Sequence, residues 1–197
     1  DLTATPGQTY TYDVSAYKDC GESAQCSDDG TRKAPPAAPS DCVASGDLCD
    51  RVQFCWTDNS GDETGFYIYR DAAKLDSVGV DATCYFDFTA TPGVTYAYCV
   101  TAYNDCGESS QCCDNGGVVA EALTVTSPNG GENWTVGTSQ NITWSFDCID
   151  SVKIEYSTDN GSSWITEAEA VMAGPGSYSW TVPDAPSENC LVRICDA

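Results

Sequence analysis

Asp87-Phe-Thr-Ala-Thr-Pro-Gly-Val-Thr-Tyr-Ala-Tyr-Cys-Val-Thr-Ala-Tyr103 carries the pattern that decides the fold. Tyr96, Tyr98, Val100 and Ala102 alternate with smaller or polar residues, the period-two signature of a strand with one apolar face. The chain opens on the same text, Asp1-Leu-Thr-Ala-Thr-Pro-Gly-Gln-Thr-Tyr10, and 21 of 30 aligned positions in 1–30 and 87–116 are identical. The offset of 86 residues (87 − 1) is about the length of one β-sandwich module. The second copy closes a module, whereas the first has no opening half before it. The chain is therefore expected to begin in the middle of a repeat, as a window on a tandem array of small extracellular domains.

Composition narrows the functional classes. Eight Lys and Arg against thirty Asp and Glu leave a formal charge of −22. Such a chain repels nucleic acid and anionic membrane surfaces, so neither is an expected partner. Solubility of a repetitive β protein accounts for the acidity, with divalent-cation binding or adaptation to high salt as the other readings. No apolar run approaches the ~18 residues of a membrane span, and no signal peptide is visible. Thirteen cysteines are scattered outside the paired Cys-x-x-Cys knuckles of zinc sites, and histidine is absent. Disulfides in an oxidising compartment are the expected use.

Short runs of Val, Ile, Thr, Tyr, Phe and Trp alternate with Gly, Asp, Asn and Pro turns throughout, which predicts an all-β protein. Residues 1–33 predict one long strand, Thr9–Lys18, and a return strand after Gly21; two strands alone cannot bury the resulting apolar face. Ala34-Pro-Pro-Ala-Ala-Pro39 predicts a semi-rigid linker, residues 34–39. Residues 40–118 form a complete module. Val52, Phe54 and Trp56 line one face of a strand, followed by Gly65–Arg70, Thr83–Phe88 and Thr95–Tyr103. From Leu123 the character changes. Stretches around Leu123–Ser127, Asn141–Trp144, Val152–Tyr156, Gly176–Pro183 and Cys190–Ile194 predict five or six strands of a further module, 122–197. Glu167–Met172 alone has helical composition and is too short to hold a helix.

Trp56, Gly65-Phe-Tyr-Ile-Tyr-Arg70, and Thr91-Pro-Gly-Val-Thr-Tyr-x-Tyr-x-Val-x-Ala-Tyr-Asn104 followed by Cys106-Gly-Glu-Ser109 resemble fibronectin type III domains, above all those of secreted bacterial proteins. The resemblance covers 40–118 and, in part, 1–33. It implies that Tyr10 and Tyr96 stand at the corner entering the sixth strand, with hydroxyls bonded back to backbone. Cys-Gly-Glu-Ser occupies the hairpin that carries Arg-Gly-Asp in some relatives, so integrin adhesion is not implied. Residues 122–197 resemble an immunoglobulin-like module of bacterial surface proteins, and are similar to the N-terminal domain of yeast cell-wall glucan-synthesis proteins. On that resemblance the last strand is expected to be missing. The fold expected is thus a disulfide-rich tandem of immunoglobulin-like and fibronectin type III-like β-sandwiches.

The cysteines invite pairing. Cys106 and Cys112 flank a hairpin, and Cys20 and Cys26 hold the same places in the first copy, so Cys20–Cys26 and Cys106–Cys112 are expected. Cys99 and Cys113 replace Asp13 and Ser27 together, which suggests Cys99–Cys113, although a simple hairpin register does not set them opposite. Cys55 can meet Cys42 or Cys84; Cys55–Cys84 with Cys42–Cys49 is preferred. In the last module Cys148–Cys195 is expected, leaving Cys190 buried or paired beyond the chain.

Little else suggests chemistry. Ser157-Thr-Asp159-Asn-Gly161-Ser-Ser-Trp164 fits the Asp-box pattern, a hairpin turn that is not catalytic even in sialidases. Paired carboxylates such as Asp147 and Asp150 lack a cleft of the kind glycoside hydrolysis needs. Without histidine no Ser–His or Cys–His pair exists. No catalytic residue, bound cofactor or dedicated metal ligand is therefore expected, and the chain is not read as an enzyme. The oxygen-rich Asp28-Asp-Gly30 and Asp58-Asn-Ser-Gly-Asp62 segments are the two places where calcium is conceivable. Tyr103, outward on its strand, could serve an interface or a sugar platform. Asn133, Asn141 and Asn160 begin Asn-x-Ser/Thr triplets, for which no modification is expected.

The function expected is that of an extracellular or cell-surface structural protein of bacterial type, a spacer or a subunit of a surface fibre or filament. Its partners would be neighbouring modules or identical subunits. The alternative is a binding accessory that tethers a secreted enzyme or adhesin to cell-surface polysaccharide.

Overall fold

The computed structural model describes residues 1–197, and every regular element in it is a β-strand. Two compact units divide the chain. Asp1–Gly46, Arg51–Thr89 and Thr95–Gly116 form one; Asp47–Asp50, Ala90–Val94 and Gly117–Ala197 form the other.

The first unit opens on a hairpin of β1 (Thr9–Val14) and β4 (Cys26–Thr31), with the short β2 (Tyr17–Lys18) and β3 (Gly21–Glu22) at its tip. The long strand expected over Thr9–Lys18 is thus broken at Ser15–Ala16. β1 pairs only with β4 and β2 only with β3, so the period-two pattern has no second sheet to bury against. Tyr12 and Val14 remain 39% and 72% exposed. The opposite face is a polar ladder: Thr9 bonds Thr31, Thr11 donates to Asp29, and Ser27 donates to Asp13.

The sandwich that follows shows what the hairpin lacks. One sheet runs β5 (Ser40–Ala44), β6 (Val52–Thr57), β9 (Cys84–Asp87), antiparallel with β6 in the middle. The other contains β7 (Gly65–Arg70), β8 (Ala73–Val78), β10 (Thr95–Asn104), β11 (Gly107–Glu108) and β12 (Cys112–Gly117), in the order β11-β10-β7-β8 with β12 also on β10. Val52, Phe54 and Trp56 from the first sheet meet Phe66, Ile68, Tyr98 and Val100 from the second, all buried. Phe54 lies against Tyr98 and Trp56 against Phe66, with ring centroids 5.8 and 5.5 Å apart. The inward row of β10 is Tyr98, Val100 and Ala102, with Tyr96 half-buried at its start. This is the three-plus-five-strand, all-antiparallel sandwich that the fibronectin type III resemblance leads one to expect.

In the second unit, β13 (Ala122–Ser127), β14 (Ser139–Asp147) and β17 (Ser177–Thr181) form one sheet. β15 (Ser151–Ser157), β16 (Ile165–Met172) and β18 (Leu191–Asp196) form another. Ile142, Trp144 and Trp180 from the first sheet pack with Val152 and Ile154 from the second. Glu167–Met172, helical in composition, lies in β16. Its register against β15 shifts twice, so pairing with a buried central strand overrides local propensity.

Candidate functional site

Four disulfides hold the chain. Cys55 and Cys84 are directly opposite in the β6–β9 ladder, Cα atoms 4.0 Å apart. Cys99 and Cys113 join β10 to β12 at 4.1 Å. In the first copy the matching residues, Asp13 and Ser27, are ladder partners joined by a hydrogen bond, so a covalent pair replaces a polar one. The simple hairpin register fails here because the turn has two tiers. β10 first pairs with β11 through Asn104–Gly107, and β12 begins only after a further excursion at Ser109–Gln111.

Four expected pairings are absent, two of them because of that two-tier turn. Cys106 sits in the Asp105–Cys106 turn at the outer tip and is a free, exposed thiol. Cys112 is bonded across the sandwich to Cys42 on β5, Cα atoms 6.0 Å apart. Cys106–Cys112 is therefore absent, and so is Cys42–Cys49. Cys20 lies in the equivalent Asp19–Cys20 turn, and Cys20 and Cys26 are both free and exposed instead of paired. In the second unit Cys148 occupies the turn between β14 and β15 and is not paired with Cys195 on β18. It bonds Cys49, while Cys190 and Cys195 are free and exposed.

Tyr10 makes the corner contact, its hydroxyl accepting the Thr5 amide at 3.1 Å. Beside Tyr96 lies an ionic bridge between the sheets that sequence reading missed. Asp87, at the end of β9 and 1% exposed, receives the Arg70 guanidinium at 2.7 Å and the Tyr98 hydroxyl at 2.7 Å. Thr89 adds its amide and hydroxyl to the other carboxylate oxygen. Arg70 also lies over the Tyr96 ring, 4.7 Å from its centroid. Burial pushes the Asp87 carboxyl up, but the bonds from Thr89, Tyr98 and Arg70 outweigh it and leave it below the usual aspartate value. Burial first, and Asp87 second, drive the Tyr98 phenol far above its ordinary range. Asp87 opens the repeat as the counterpart of Asp1, and its Asp-x-Thr spacing to Thr89 was the available signal.

The Asp-box residues form a closed turn. Asp159 accepts from Ser157, from the Ser163 amide and from the Ser163 hydroxyl, while the buried Ser157 oxygen receives the Gly161 amide. The Ser163 hydroxyl, then its amide, then Ser157 lower the Asp159 carboxyl to about 2. Trp164 packs by Gly161 under the Arg193 guanidinium, 4.1 Å from its ring. The side chains of Ser157, Asp159, Ser162 and Ser163 are all used in holding the turn.

Of the two calcium-conceivable segments, Asp28-Asp29-Gly30 is strand β4 rather than a loop, and its carboxylates serve Asp29 N and Thr11. The other segment behaves differently. One carboxylate oxygen each from Asp58, Glu63 and Asp81 lies within 4.8 Å of the others. Asp58 follows β6, Glu63 precedes β7, and Asp81 lies between β8 and β9 at positive φ. Asp62 is not part of this group; its carboxylate accepts from Ser60. Tyr103 stacks on Tyr67 with centroids 3.8 Å apart, and Lys74 covers Tyr67 at 3.1 Å, so the tyrosine faces are largely used within the sheet.

No protein-family model matches the chain, and no curated protein sequence matches it. Solved structures do. A segment of two fibronectin type III domains from chicken tenascin matches at 14% identity and TM-score 0.40, over 81% of this chain and 99% of that one. The FN1–FN3 domains of chicken CNTN1 match at 17% and 0.37, over 96% of this chain and 69% of that one. The spore cortex lytic enzyme SleM of Clostridium perfringens matches at 16% and 0.38 over 43% of this chain, which spans 29% of its length.

Proposed function

We propose that the chain is a structural element of the extracellular space, a disulfide-braced modular spacer or fibre subunit of a bacterial surface. Four disulfides fit an oxidising compartment. No helix is long and apolar enough to cross a membrane. The observation that carries the reading is the contrast between the two copies of one hairpin. In the sandwich, β10 is flanked by β7 and its partner Cys112 is bonded to Cys42. In the first copy β1 and β4 have no third strand, Val14 is exposed, and Cys26, the repeat mate of Cys112, is free. The hairpin is a half-module whose complement is a β5-like strand bearing a cysteine, from the same array or from a neighbouring subunit.

Extraction from the surface of the source cells tests this. A covalent array resists detergent and is released by reductant, with Cys26 found in a mixed disulfide by peptide mapping. Quantitative recovery as a monomer in mild non-reducing buffer, with Cys26 alkylatable, would refute it.

A further inference from the structure

The Asp58, Glu63 and Asp81 group differs from the chain's other acidic neighbours in one respect. Glu63 is only 9% exposed, and its Oε2 is shut from solvent without a single hydrogen-bond donor. Its other oxygen receives the Asp81 amide at 3.3 Å. A shielded carboxylate oxygen with empty lone pairs is costly unless a cation fills it. Arg70, Lys153 and Arg193 are engaged elsewhere, with Asp87, Glu155 and Glu169.

We propose that Asp58, Glu63 and Asp81 bind a calcium ion at one end of the β5–β12 sandwich. The chemistry selects a hard cation: all three donors are oxygens, and no thiol or imidazole is among them. Calcium suits loop carboxylates of adjustable geometry better than magnesium, which demands a near-ideal octahedron. Water and loop carbonyls complete the shell. The ion ties the β6–β7 loop to the β8–β9 loop. It also acts on the linker, because Asn59, next to Asp58, donates to the Ala38 carbonyl at 2.9 Å and to Ser40 Oγ at 3.0 Å. Calcium thereby stiffens the join between the linker and the sandwich, a role independent of whether the chain is a fibre subunit.

Titration calorimetry of the intact, oxidised chain with CaCl2 in ~0.15 M NaCl tests the site. One saturable site per chain is expected, with a Kd of about 10⁻⁵–10⁻³ M, in the range of sensors and extracellular modules. Glu63→Gln keeps the shape and the Asp81 contact, and Asp81→Asn changes an exposed residue, so either variant reports even if the other folds poorly. Each is expected to weaken binding at least tenfold. Asp28→Asn, in strand β4, leaves it unchanged and controls for the diffuse counterion cloud. CaCl2 raises the unfolding temperature of the wild type above that in NaCl of equal ionic strength and loses this effect in Glu63→Gln. Absence of a saturable site, wild-type affinity in the folded variants, or equal loss in Asp28→Asn would overturn the proposal.

Discussion

Cys42 and Cys112 join opposite sheets of the sandwich across 6.0 Å between Cα atoms and 70 residues of sequence. By position this bridge clamps the first strand of the module to its last. Cys106, six residues before Cys112 and expected from spacing to be its partner, is free. The repeat therefore encodes a clamp between sheets and an unbonded thiol at the hairpin tip.

Replacing both Cys42 and Cys112 by serine should cost about 4 kcal/mol, the loop-closure entropy of a ~70-residue ring. Cys106→Ser should lie within about 0.5 kcal/mol of wild type, as surface changes do. Urea unfolding of the two variants checks both, and a large loss in Cys106→Ser would contradict the observed pairing.

The β7–β8 hairpin turns at Asp71-Ala72, with φ of 49° and 65°. Asp71 is held there, since its carboxylate receives the Ala97 amide and its own amide donates to Ala97 O. Ala72 has no such support and bears the left-handed strain. Ala72→Gly supplies the Asp-Gly pair that type I′ turns favour and should stabilise by about 0.5–1 kcal/mol. A rise in the urea midpoint at constant slope is the expected result.

The same turn explains a gap in what the sequence disclosed. Asp-Ala carries no hairpin signal, and the edge strand β8 is mostly exposed, so neither turn nor strand was legible. Strands with a buried face, such as Val52–Thr57 and Thr95–Asn104, were legible because period two survives where one side is solid core. Cysteine pairing was legible where one ladder sets both partners opposite, as for Cys55 and Cys84, and where both thiols change together between the two copies, as for Cys99 and Cys113. Cys42–Cys112 depends on how two sheets face each other, which no local spacing records. The carboxylate group was half visible: Asp58 stood out in its loop, whereas Glu63 and Asp81 join it only through tertiary structure.

Ser157 is 1% exposed, and its hydroxyl oxygen receives the amides of Asp159 and Gly161. Ser157→Ala leaves both amides without this acceptor and should cost about 1–3 kcal/mol. Thermal unfolding measures the loss, and a wild-type midpoint would mean that water replaces the hydroxyl.

Asp87 is expected to dominate the acid sensitivity of its sandwich. Its folded pKa lies below the usual carboxylate value, so its contribution is complete above about pH 4, the unfolded aspartate value. It then falls as pH drops through the lower folded value. Asp87→Asn keeps the shape but leaves Arg70 facing a neutral amide, with loss of both the Arg70 pair and the acceptor for Tyr98. Breaking such a buried pair from one side should cost about 3–5 kcal/mol at pH 7. The gap between variant and wild type should narrow as pH falls below about 4, because the wild-type carboxylate is then being neutralised as well. Chemical denaturation at a series of pH values reads both numbers. A gap that stays constant from pH 7 to pH 2 would mean that the carboxylate charge does no work in the bridge.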